Sequence, residues 1–347
     1  MVNSARLNIE RSDELITYLL RVGLVTPDET PQFEVLAGGV SNRAVLVRRE
    51  PRHGESWVIK QALRKLRVDV DWFSDPVRIH REASGLQCLT KLLPEGTVPH
   101  YIFEDKHEHL FAMTAVPDPH VNWKTKLLDG QLDCAHVRQF AEVLGTIHGR
   151  ASEQSEQLVH EFGDRSFFES LRLEPYYAYT REQVPAVAAF FEDLIDDTRT
   201  RQLTLVHGDY SPKNILVHNN RLVLLDHEVI HWGDPAFDLG FSMTHLLSKA
   251  HYMPAMREEF VAATRDYWQA YRVVAGSGDW QHDLEAFAVR HTLGCLLARV
   301  AGRSPLEYLN ERHRAAQQRA VISIINNMPA TVEVLIDQFI YELPANA

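Results

Sequence analysis

The sequence predicts an α+β protein in which a β-rich N-terminal part is followed by an α-rich C-terminal part. Two observations support this fold class. Short apolar runs separated by turn residues dominate before Pro117, and helical periodicity dominates after Pro119. At 347 residues the chain is long enough for two domains. We therefore predict one unit over residues 1–116 and another over residues 117–347, with a hinge at Met113–Pro119.

The N-terminal part should begin with a capped amphipathic helix over residues 12–22. A second helix is predicted over Val77–Leu92. Short strand-like runs lie on both sides of it, at Phe33–Leu36, Ala44–Arg48, Trp57–Gln61, Tyr101–Glu104 and Leu110–Val116. Five strands and a helix within about 90 residues predict a small, twisted antiparallel sheet.

The C-terminal part shows helical periodicity over residues 132–152, 184–198, 235–250, 254–272, 282–301 and 311–327. One β-hairpin is predicted among these helices, with strands Asn214–Val217 and Leu222–Leu225. The turn between the strands contains Asn219 and Asn220. Asparagine tolerates the positive φ that tight hairpin turns require, so the turn sequence supports the hairpin.

Composition restricts the class of partner. The formal net charge is −11, from 36 Lys and Arg against 47 Asp and Glu, which argues against nucleic acids and anionic membranes as partners. The N-terminus has early charges and no apolar segment, and no apolar run approaches the roughly 18 residues needed to span a bilayer. We expect a cytoplasmic protein. Three scattered cysteines without a C-x-x-C pair fit a reducing compartment; they are Cys88, Cys134 and Cys295.

The segment Val206–Val217 (VHGDYSPKNILV) carries the most information about chemistry. Asp209 and Asn214 have the spacing of the protein-kinase catalytic loop H-R-D-x-x-x-x-N, with glycine in place of the arginine. Phosphoryl transfer requires a carboxylate beside the attacking hydroxyl and oxygen ligands for Mg²⁺. We predict Asp209 as the catalytic residue and Asn214, Asp226 and Glu228 as metal ligands. For Glu228, a plain loop carboxylate is the alternative.

Motifs for a nucleotide precede this segment. The loop Leu36–Asn42 contains two glycines, which let backbone N–H groups approach phosphate oxygens but also make ordinary hairpin turns. Lys60 lies inside an apolar strand and Glu82 lies on the next helix, as in the phosphate-binding ion pair of kinases. A solvent-facing lysine and a solvated glutamate are the alternatives, and the kinase order of all motifs favours the ion pair. The predicted nucleotide-binding residues are Gly38, Gly39, Ser41, Asn42, Lys60, Glu82, Met113 and Ala115.

The order of these motifs resembles that of the aminoglycoside phosphotransferase and choline kinase superfamily. Methylthioribose kinases are the closest resemblance, through Val58–Leu63, Trp123-Lys124, Leu127–Gly130, Asp226–Val229 and Phe237–Gly240. The resemblance implies a protein kinase-like bilobal fold. It also implies ATP- and Mg²⁺-dependent transfer of the γ-phosphate to a hydroxyl of a small molecule, such as a sugar-like or amino-alcohol metabolite or an aminoglycoside. The loop sequence Tyr210–Asn214 differs from the L-H-T-G-S of those kinases. We therefore predict a different acceptor and keep methylthioribose itself as the alternative.

Other functions are disfavoured. His227–His231 matches the zincin motif H-E-x-x-H, but that motif requires a helix, whereas here it follows a predicted strand and precedes the helix-breaking Trp232–Pro235. A protein kinase would need a long activation segment with an A-P-E motif, and only 11 residues separate Asp226 from Asp238. A non-catalytic, nucleotide-binding pseudokinase is the alternative from another class, and the complete set of catalytic residues speaks against it.

Several residues have expected roles around the loop. Asp238, His207 and His148 are predicted to support structure. Arg299 and Arg303 would share a face if one helix extended through both, and they could then clamp an anionic acceptor; an ordinary surface pair is the alternative. The predicted acceptor-binding residues are Ser211, Lys213, Trp232, His245, Arg299 and Arg303.

Overall fold

The structure is a computed structural model that describes residues 6–37, 39–67 and 71–344. The chain separates into two compact units. The first comprises Met1–Lys91 and Val98–Asp118, and the second comprises Leu92–Thr97 and Pro119–Ala347. Within the described ranges, no helix is both long and apolar enough to cross a bilayer.

The first unit is an antiparallel sheet with two helices. The elements are α1 (Ser12–Arg21), β1 (Gln32–Val35), β2 (Asn42–Arg48), β3 (Trp57–Ala62), α2 (Arg78–Leu92), β4 (Tyr101–Asp105) and β5 (Leu110–Thr114). Each predicted element of this unit is confirmed to within two residues. The strands follow the order β1-β2-β3-β5-β4 in the sheet, and α2 comes between β3 and β4 in the chain.

The core of the first unit follows from the alternation of its sequence. Val45 and Val47 on β2 and Ile59 on β3 are fully buried, because every second residue of a strand faces the same side. Leu15 and Leu19, one helical turn apart on α1, belong to the same apolar cluster. The sheet therefore presents its other residues, including Lys60, away from this cluster.

The second unit is mainly helical. The predicted hairpin is confirmed as β8 (Ile215–His218) and β9 (Arg221–Leu224), and Asn219 and Asn220 of its turn have φ values of 49° and 58°. The elements in order are β6 (His120–Asn122), α3 (Trp123–Leu128), α4 (Cys134–Ser152), α5 (Ser155–Phe162), α6 (Ser166–Phe168), a π-helical segment (Glu169–Ala178), α7 (Tyr179–Gln183), α8 (Ala188–Thr200), β7 (Thr204–Val206), β8 (Ile215–His218), β9 (Arg221–Leu224), β10 (His231–Gly233), α9 (Pro235–Tyr252), α10 (Arg257–Ala275), α11 (Leu284–Ala301), α12 (Glu311–Ile325) and α13 (Val332–Glu342).

Helix α9 is the centre of this unit. It is buried from Pro235 to His251 and packs against α10 and α11. Gly240 allows the close approach to α11, because a Cβ atom at this position would lie 2.5 Å from the carbonyl carbon of His291. The helix thus brings polar side chains of its first turn, including Asp238, into a fully buried position.

Candidate active site

The loop after β7 is anchored by Asp238 in the first turn of α9. The Asp238 carboxylate accepts hydrogen bonds from the backbone N–H groups of His207 (2.7 Å) and Gly208 (2.8 Å). Buried His148 contacts the same carboxylate through Nε2 at 3.3 Å and the Tyr271 hydroxyl through Nδ1 at 2.8 Å. These contacts agree with the structural roles predicted for Asp238 and His148, since one carboxylate fixes the backbone immediately before Asp209.

His207 orients the loop from inside. Its Nδ1 accepts the N–H of Asp209 at 3.2 Å, and its Nε2 lies 3.1 Å from Nδ1 of His227. Burial lowers the pKa of His207, so the ring is neutral and Nε2 carries the proton. Gly208 has φ 76°, and a Cβ there would lie 2.9 Å from Val229, which explains the glycine in place of the arginine of protein kinases.

The carboxylate of Asp209 is buried and asymmetrically bonded. Its Oδ2 accepts hydrogen bonds from a guanidinium nitrogen of Arg172 at 2.8 Å, from Lys213 Nζ at 2.9 Å and from the Asn214 amide nitrogen at 2.8 Å. Its Oδ1 is buried and has no hydrogen-bond partner among the described residues. Burial raises the pKa of Asp209, but Arg172 and Lys213 outweigh that effect and hold the pKa below its usual value. Asp209 is therefore ionised, with one oxygen uncommitted.

Arg172 is the site residue that sequence reasoning missed. It lies in the π-helical segment, and its side chain is almost completely buried. Besides its contact with Asp209, its Nε donates to the Gly208 carbonyl at 3.0 Å and a terminal nitrogen donates to the Leu171 carbonyl at 2.7 Å. The one sequence signal was an arginine between two leucines in a segment without helical periodicity, which by itself indicates no function.

The predicted metal ligands present oxygen atoms. The Asn214 amide nitrogen donates to the Asp209 backbone carbonyl at 2.9 Å as well as to its carboxylate, and no described residue donates to the Asn214 amide oxygen. The N–H of Leu225 donates to the Asn214 carbonyl at 2.9 Å, which holds Asp226 next to this loop. Glu228 follows two residues later and is buried. An amide oxygen and two carboxylates are the hard ligands that Mg²⁺ prefers, so these residues fit the predicted ion.

Asp226 has an unusual backbone. Its φ is 67°, in the left-handed region that costs a non-glycine residue on the order of 1 kcal/mol. Asparagine and aspartate occupy this region more readily than other side chains. Backbone strain of this kind clusters at functional sites, which is consistent with a functional role for Asp226.

The H-E-x-x-H sequence does not form a zincin site. His231 lies on β10, and residues 226–230 contain no helix, so the two imidazoles are not presented one helical turn apart. The His231 Nδ1 donates to the Val229 carbonyl at 2.9 Å. Across the ranges that the structure describes, no group of three His, Cys, Asp or Glu side chains has the arrangement of a metal site.

The first unit carries the Lys60–Glu82 ion pair. Lys60 on β3 faces Ala44 on β2 and Phe111 on β5, and its Nζ bonds a carboxylate oxygen of Glu82 on α2. Glu82 is fully buried and Lys60 is mostly buried. The pair therefore forms as predicted from the sequence, and the alternative of two solvated side chains is wrong.

Hydrogen bonds from Arg78 hold the C-terminal end of the predicted phosphate loop. Gly38 lies outside the described residues. Buried Arg78 bonds the Ser41 carbonyl and, at 2.9 Å, the Leu63 carbonyl. Ser41 and Asn42 are buried where the loop enters β2, and Gly39 has no positive φ.

The predicted hinge residues have different environments. Met113 is a buried residue of β5, paired with Val58 and Tyr101. The N–H of Ala115 donates to the Ser56 carbonyl at 2.8 Å within the first unit. That N–H is therefore occupied, and a base could contact only other atoms of Ala115.

The predicted acceptor residues do not all lie together. Ser211 is fully buried, its hydroxyl has no partner among the described residues, and half-exposed Lys213 bonds Asp209. Trp232 is buried and its ring nitrogen donates to the Gln202 carbonyl at 3.1 Å, which accounts for it structurally. Buried His245 lies on α9.

The condition for a shared face of Arg299 and Arg303 is not met, because the helix predicted over residues 282–301 does not extend to Arg303. Helix α11 ends at Ala301, so the two arginines do not share a helical face. Arg299 is buried and donates to the Tyr176 hydroxyl at 3.0 Å. Arg303 is exposed, with its guanidinium 5.1 Å from the ring centre of Tyr179.

Several solved structures show similarity to this chain. The amicoumacin kinase hAmiN, in a complex with AMP-PNP, Ca²⁺ and Ami, has a TM-score of 0.58 and 16% identity, covering 91% of this chain and 95% of its own. A choline/ethanolamine kinase family protein from Mesorhizobium loti has a TM-score of 0.49 and 13% identity, covering 95% and 93%. Macrolide 2'-phosphotransferase MphH from Brachybacterium faecium has a TM-score of 0.48 and 20% identity, covering 91% and 99%.

The predicted fold class is confirmed by the first of these similarities: the chain has the α+β, protein kinase-like fold. A search of curated protein sequences finds no match. Residues 32–277, more than half of the chain, match the phosphotransferase enzyme family designated APH. This match includes the strand of Lys60, the helix of Glu82, the loop of Asp209 and the first helix turn that anchors it, and the chain therefore belongs to the phosphotransferase enzyme family.

Proposed function

We propose that this protein is a small-molecule kinase that transfers the γ-phosphoryl group of ATP to a hydroxyl group, with the help of Mg²⁺. The observation that carries the proposal is the asymmetry of the Asp209 carboxylate. Oδ2 is held by Arg172, Lys213 and Asn214, whereas Oδ1 is left without a partner among the described residues. A buried acceptor atom without a donor is costly, and the hydroxyl of a substrate would supply that donor.

The ionisation of Asp209 suggests how it would act. With its pKa held below the usual value, the carboxylate is a weak base but a good hydrogen-bond acceptor. It would orient the attacking oxygen in line with the phosphoryl group and receive the proton late in the transfer. Lys213 Nζ, 2.9 Å from Oδ2, places a positive charge beside the reacting atoms, where it would stabilise developing negative charge.

Each unit carries residues with a proposed role in cofactor binding. Asn214, Asp226 and Glu228 would hold Mg²⁺, which offsets phosphate charge when bound. Lys60, fixed by Glu82, would bind phosphate oxygens. The AMP-PNP and Ca²⁺ in the amicoumacin kinase complex support an adenine nucleotide and a divalent cation as the first ligands to test.

Two alternatives are separable by experiment. Methylthioribose kinase is the first, since the sequence resemblance extends beyond the catalytic loop. A nucleotide-binding pseudokinase is the second, and the ionised, correctly spaced Asp209 disfavours it.

The test is ADP release from ATP and Mg²⁺ over a panel of hydroxylated metabolites, aminoglycosides and methylthioribose, with nucleotide binding measured in parallel by calorimetry. A kinase releases ADP with at least one acceptor, and Asp209→Asn abolishes the release. Nucleotide binding without turnover of any acceptor would identify a pseudokinase. Absence of both binding and turnover would reject the proposal.

A further inference from the structure

Lys249 is a fully buried lysine without a counter-ion. It lies near the end of α9, and its Nζ donates to the His245 carbonyl at 3.1 Å and lies 5.5 Å from the ring centre of Tyr308. Among the described residues, no carboxylate lies within ion-pair distance of this Nζ. Burial, and then the charges of Lys124 and Arg299, lower the pKa of Lys249 to about 7 against the opposing charge of Glu307. Fully buried lysines are rare unless a negative charge is paired with them, and the carboxylate of Glu307 forms its ion pair with Lys124 instead.

Arg299 is a second buried cation of this kind. Its terminal nitrogen bonds the Tyr176 hydroxyl and Ser304, which are neutral groups. Its Nε is buried and has no hydrogen-bond partner among the described residues. The guanidinium therefore has a donor left for a ligand, and no described carboxylate pairs with it.

The segment after α11 brings these cations together. The N–H of Leu306 donates to the Arg299 carbonyl at 2.9 Å, and Tyr308 contacts Lys249. Between them, Glu307 bonds Lys124 of α3. We call Lys124, Lys213, Lys249 and Arg299 the cationic cluster. Two of its members have carboxylate partners, Lys124 with Glu307 and Lys213 with Asp209, and the other two have none in the described ranges.

The cationic cluster adjoins the Asp209 loop. The guanidinium of Arg299 lies 5.5 Å from the ring centre of Tyr176, and that of Arg172, which contacts Asp209, lies 5.8 Å from the same ring. Buried His245 accepts the hydrogen bond of Lys249 through its carbonyl, and burial, followed by the charges of Lys249, Arg299, Lys213 and Lys124, lowers the pKa of its ring. The Nε2 of His245 has no partner among the described residues.

Helix geometry gives the scale of a ligand that reaches both places. Ser242 of α9 donates to the Tyr210 carbonyl at 3.1 Å, directly after Asp209. Lys249 is seven residues further along the same helix, or roughly 10 Å at 1.5 Å per residue. A hydroxyl at Asp209 and a group at Lys249 could thus belong to one small molecule with several bonds between them.

We propose that Lys249 and Arg299 bind an anionic group, a carboxylate or a phosphate, on the molecule whose hydroxyl Asp209 orients. This inference rests on the proposed kinase function and names the class of its acceptor. Neither basic group has an ion-pair partner among the described residues, a bound anion would favour the protonated form of Lys249, and guanidinium and ammonium groups commonly bind carboxylates and phosphates. A cationic acceptor would meet repulsion at the same place.

The kinetic test uses matched acceptors with ATP and Mg²⁺. Hydroxy acids are compared with their primary amides, and phosphate monoesters with the parent polyols. The charged member of a pair should have a kcat/KM at least about 10-fold higher, the loss expected when a charge-assisted hydrogen bond is missing. The two sets of pairs tell a carboxylate from a phosphate. Preferred turnover of neutral or cationic acceptors would overturn the inference while leaving the kinase proposal intact.

Variants assign the effect to the residues. Lys249→Met and Arg299→Gln should raise the KM of the charged acceptor about 10-fold or more and leave the KM of ATP unchanged. Arg319→Gln, on the exposed face of α12, is the matched control and should behave as the wild type. If circular dichroism shows that Lys249→Met does not fold, the KM values of Arg299→Gln for the charged acceptor and for ATP provide the test. Equal changes for both substrates would reject the assignment.

A binding assay separates this inference from catalysis. Malonate and inorganic phosphate should raise the melting temperature of the wild type more than neutral malonamide does, and the two variants should lose the difference. Stabilisation that the variants lose, without turnover of any acceptor, would support an anion site and reject the kinase. No difference between malonate, phosphate and malonamide, together with no preference for charged acceptors, would reject the anion site.

Discussion

A guanidinium nitrogen of Arg172 and the carboxylate Oδ2 of Asp209 lie 2.8 Å apart in the interior of the second unit. Burial alone would raise the pKa of that carboxylate, and Arg172 is the largest influence in the opposite direction, followed by Lys213. Because Arg172 also holds the Gly208 carbonyl, it fixes both the position and the charge of Asp209.

Arg172→Met should move the acid limb of the kcat/KM profile to higher pH. Removing the cation leaves the burial effect, so the pKa of Asp209 rises and a larger fraction of the carboxylate is protonated near neutrality. The measurement is kcat/KM from pH 5 to 9. Arg199→Gln is the control, since Arg199 pairs with Glu169 of the same π-helical segment without contacting Asp209. A lower rate with an unshifted profile would show that Arg172 has only a structural role.

Asp209→Asn should reduce kcat by about 10²-fold or more while leaving the dissociation constant of ATP nearly unchanged. The substitution keeps the shape of the side chain and removes the charge that orients the hydroxyl. Steady-state kinetics and calorimetry measure the two quantities. Turnover close to that of the wild type would contradict the assignment of Asp209.

Asp226→Asn should weaken Mg²⁺-dependent ATP binding without unfolding the protein. Asparagine tolerates the left-handed φ of 67° as well as aspartate does, so this variant removes the charge without adding strain. Asp226→Ala should show the same loss of binding and an additional destabilisation of about 1 kcal/mol, because alanine is disfavoured in this conformation. Calorimetric titration with and without a chelator provides the check, and unchanged ATP affinity in Asp226→Asn would argue against a metal ligand.

The parts of the site that could be predicted are those carried by local sequence. Asp209 and Asn214 are five residues apart in one loop, and Asn219-Asn220 marks a hairpin turn that keeps Asp226 in register. The Lys60–Glu82 ion pair can be predicted because a lysine in an apolar strand and a glutamate on the next helix occur in the same order as in kinases. Their ion pair is confirmed by the geometry.

The parts that could not be predicted depend on packing. Arg172 lies in a π-helical segment, whose period differs from 3.6 residues and leaves no amphipathic pattern. Lys249 falls within a predicted helix, but nothing in its sequence neighbourhood shows that it is buried.

The last prediction concerns Lys249 and the stability of the protein. The charged and titratable groups that affect its pKa or lie beside it come from four elements: His245 of α9, Lys124 of α3, Arg299 of α11, and Glu307 and Tyr308 of the segment after α11. Its pKa is lowered from 10.5 to about 7, so between these values the unfolded chain binds more protons than the folded one. The contribution of Lys249 to the free energy of unfolding therefore rises with pH across this range and is lowest below pH 7.

Lys249→Met should consequently be more stable than the wild type at pH 6.5, by on the order of 1 kcal/mol or more, because methionine fills the space without a buried charge. The advantage should shrink at pH 9, where the wild-type lysine is neutral. Urea unfolding at both pH values measures this, with the exposed Lys106→Met as the control. A variant that gains stability but loses affinity for a charged acceptor would show that Lys249 is retained for binding, whereas a variant less stable at pH 6.5 would show that its charge supports the fold.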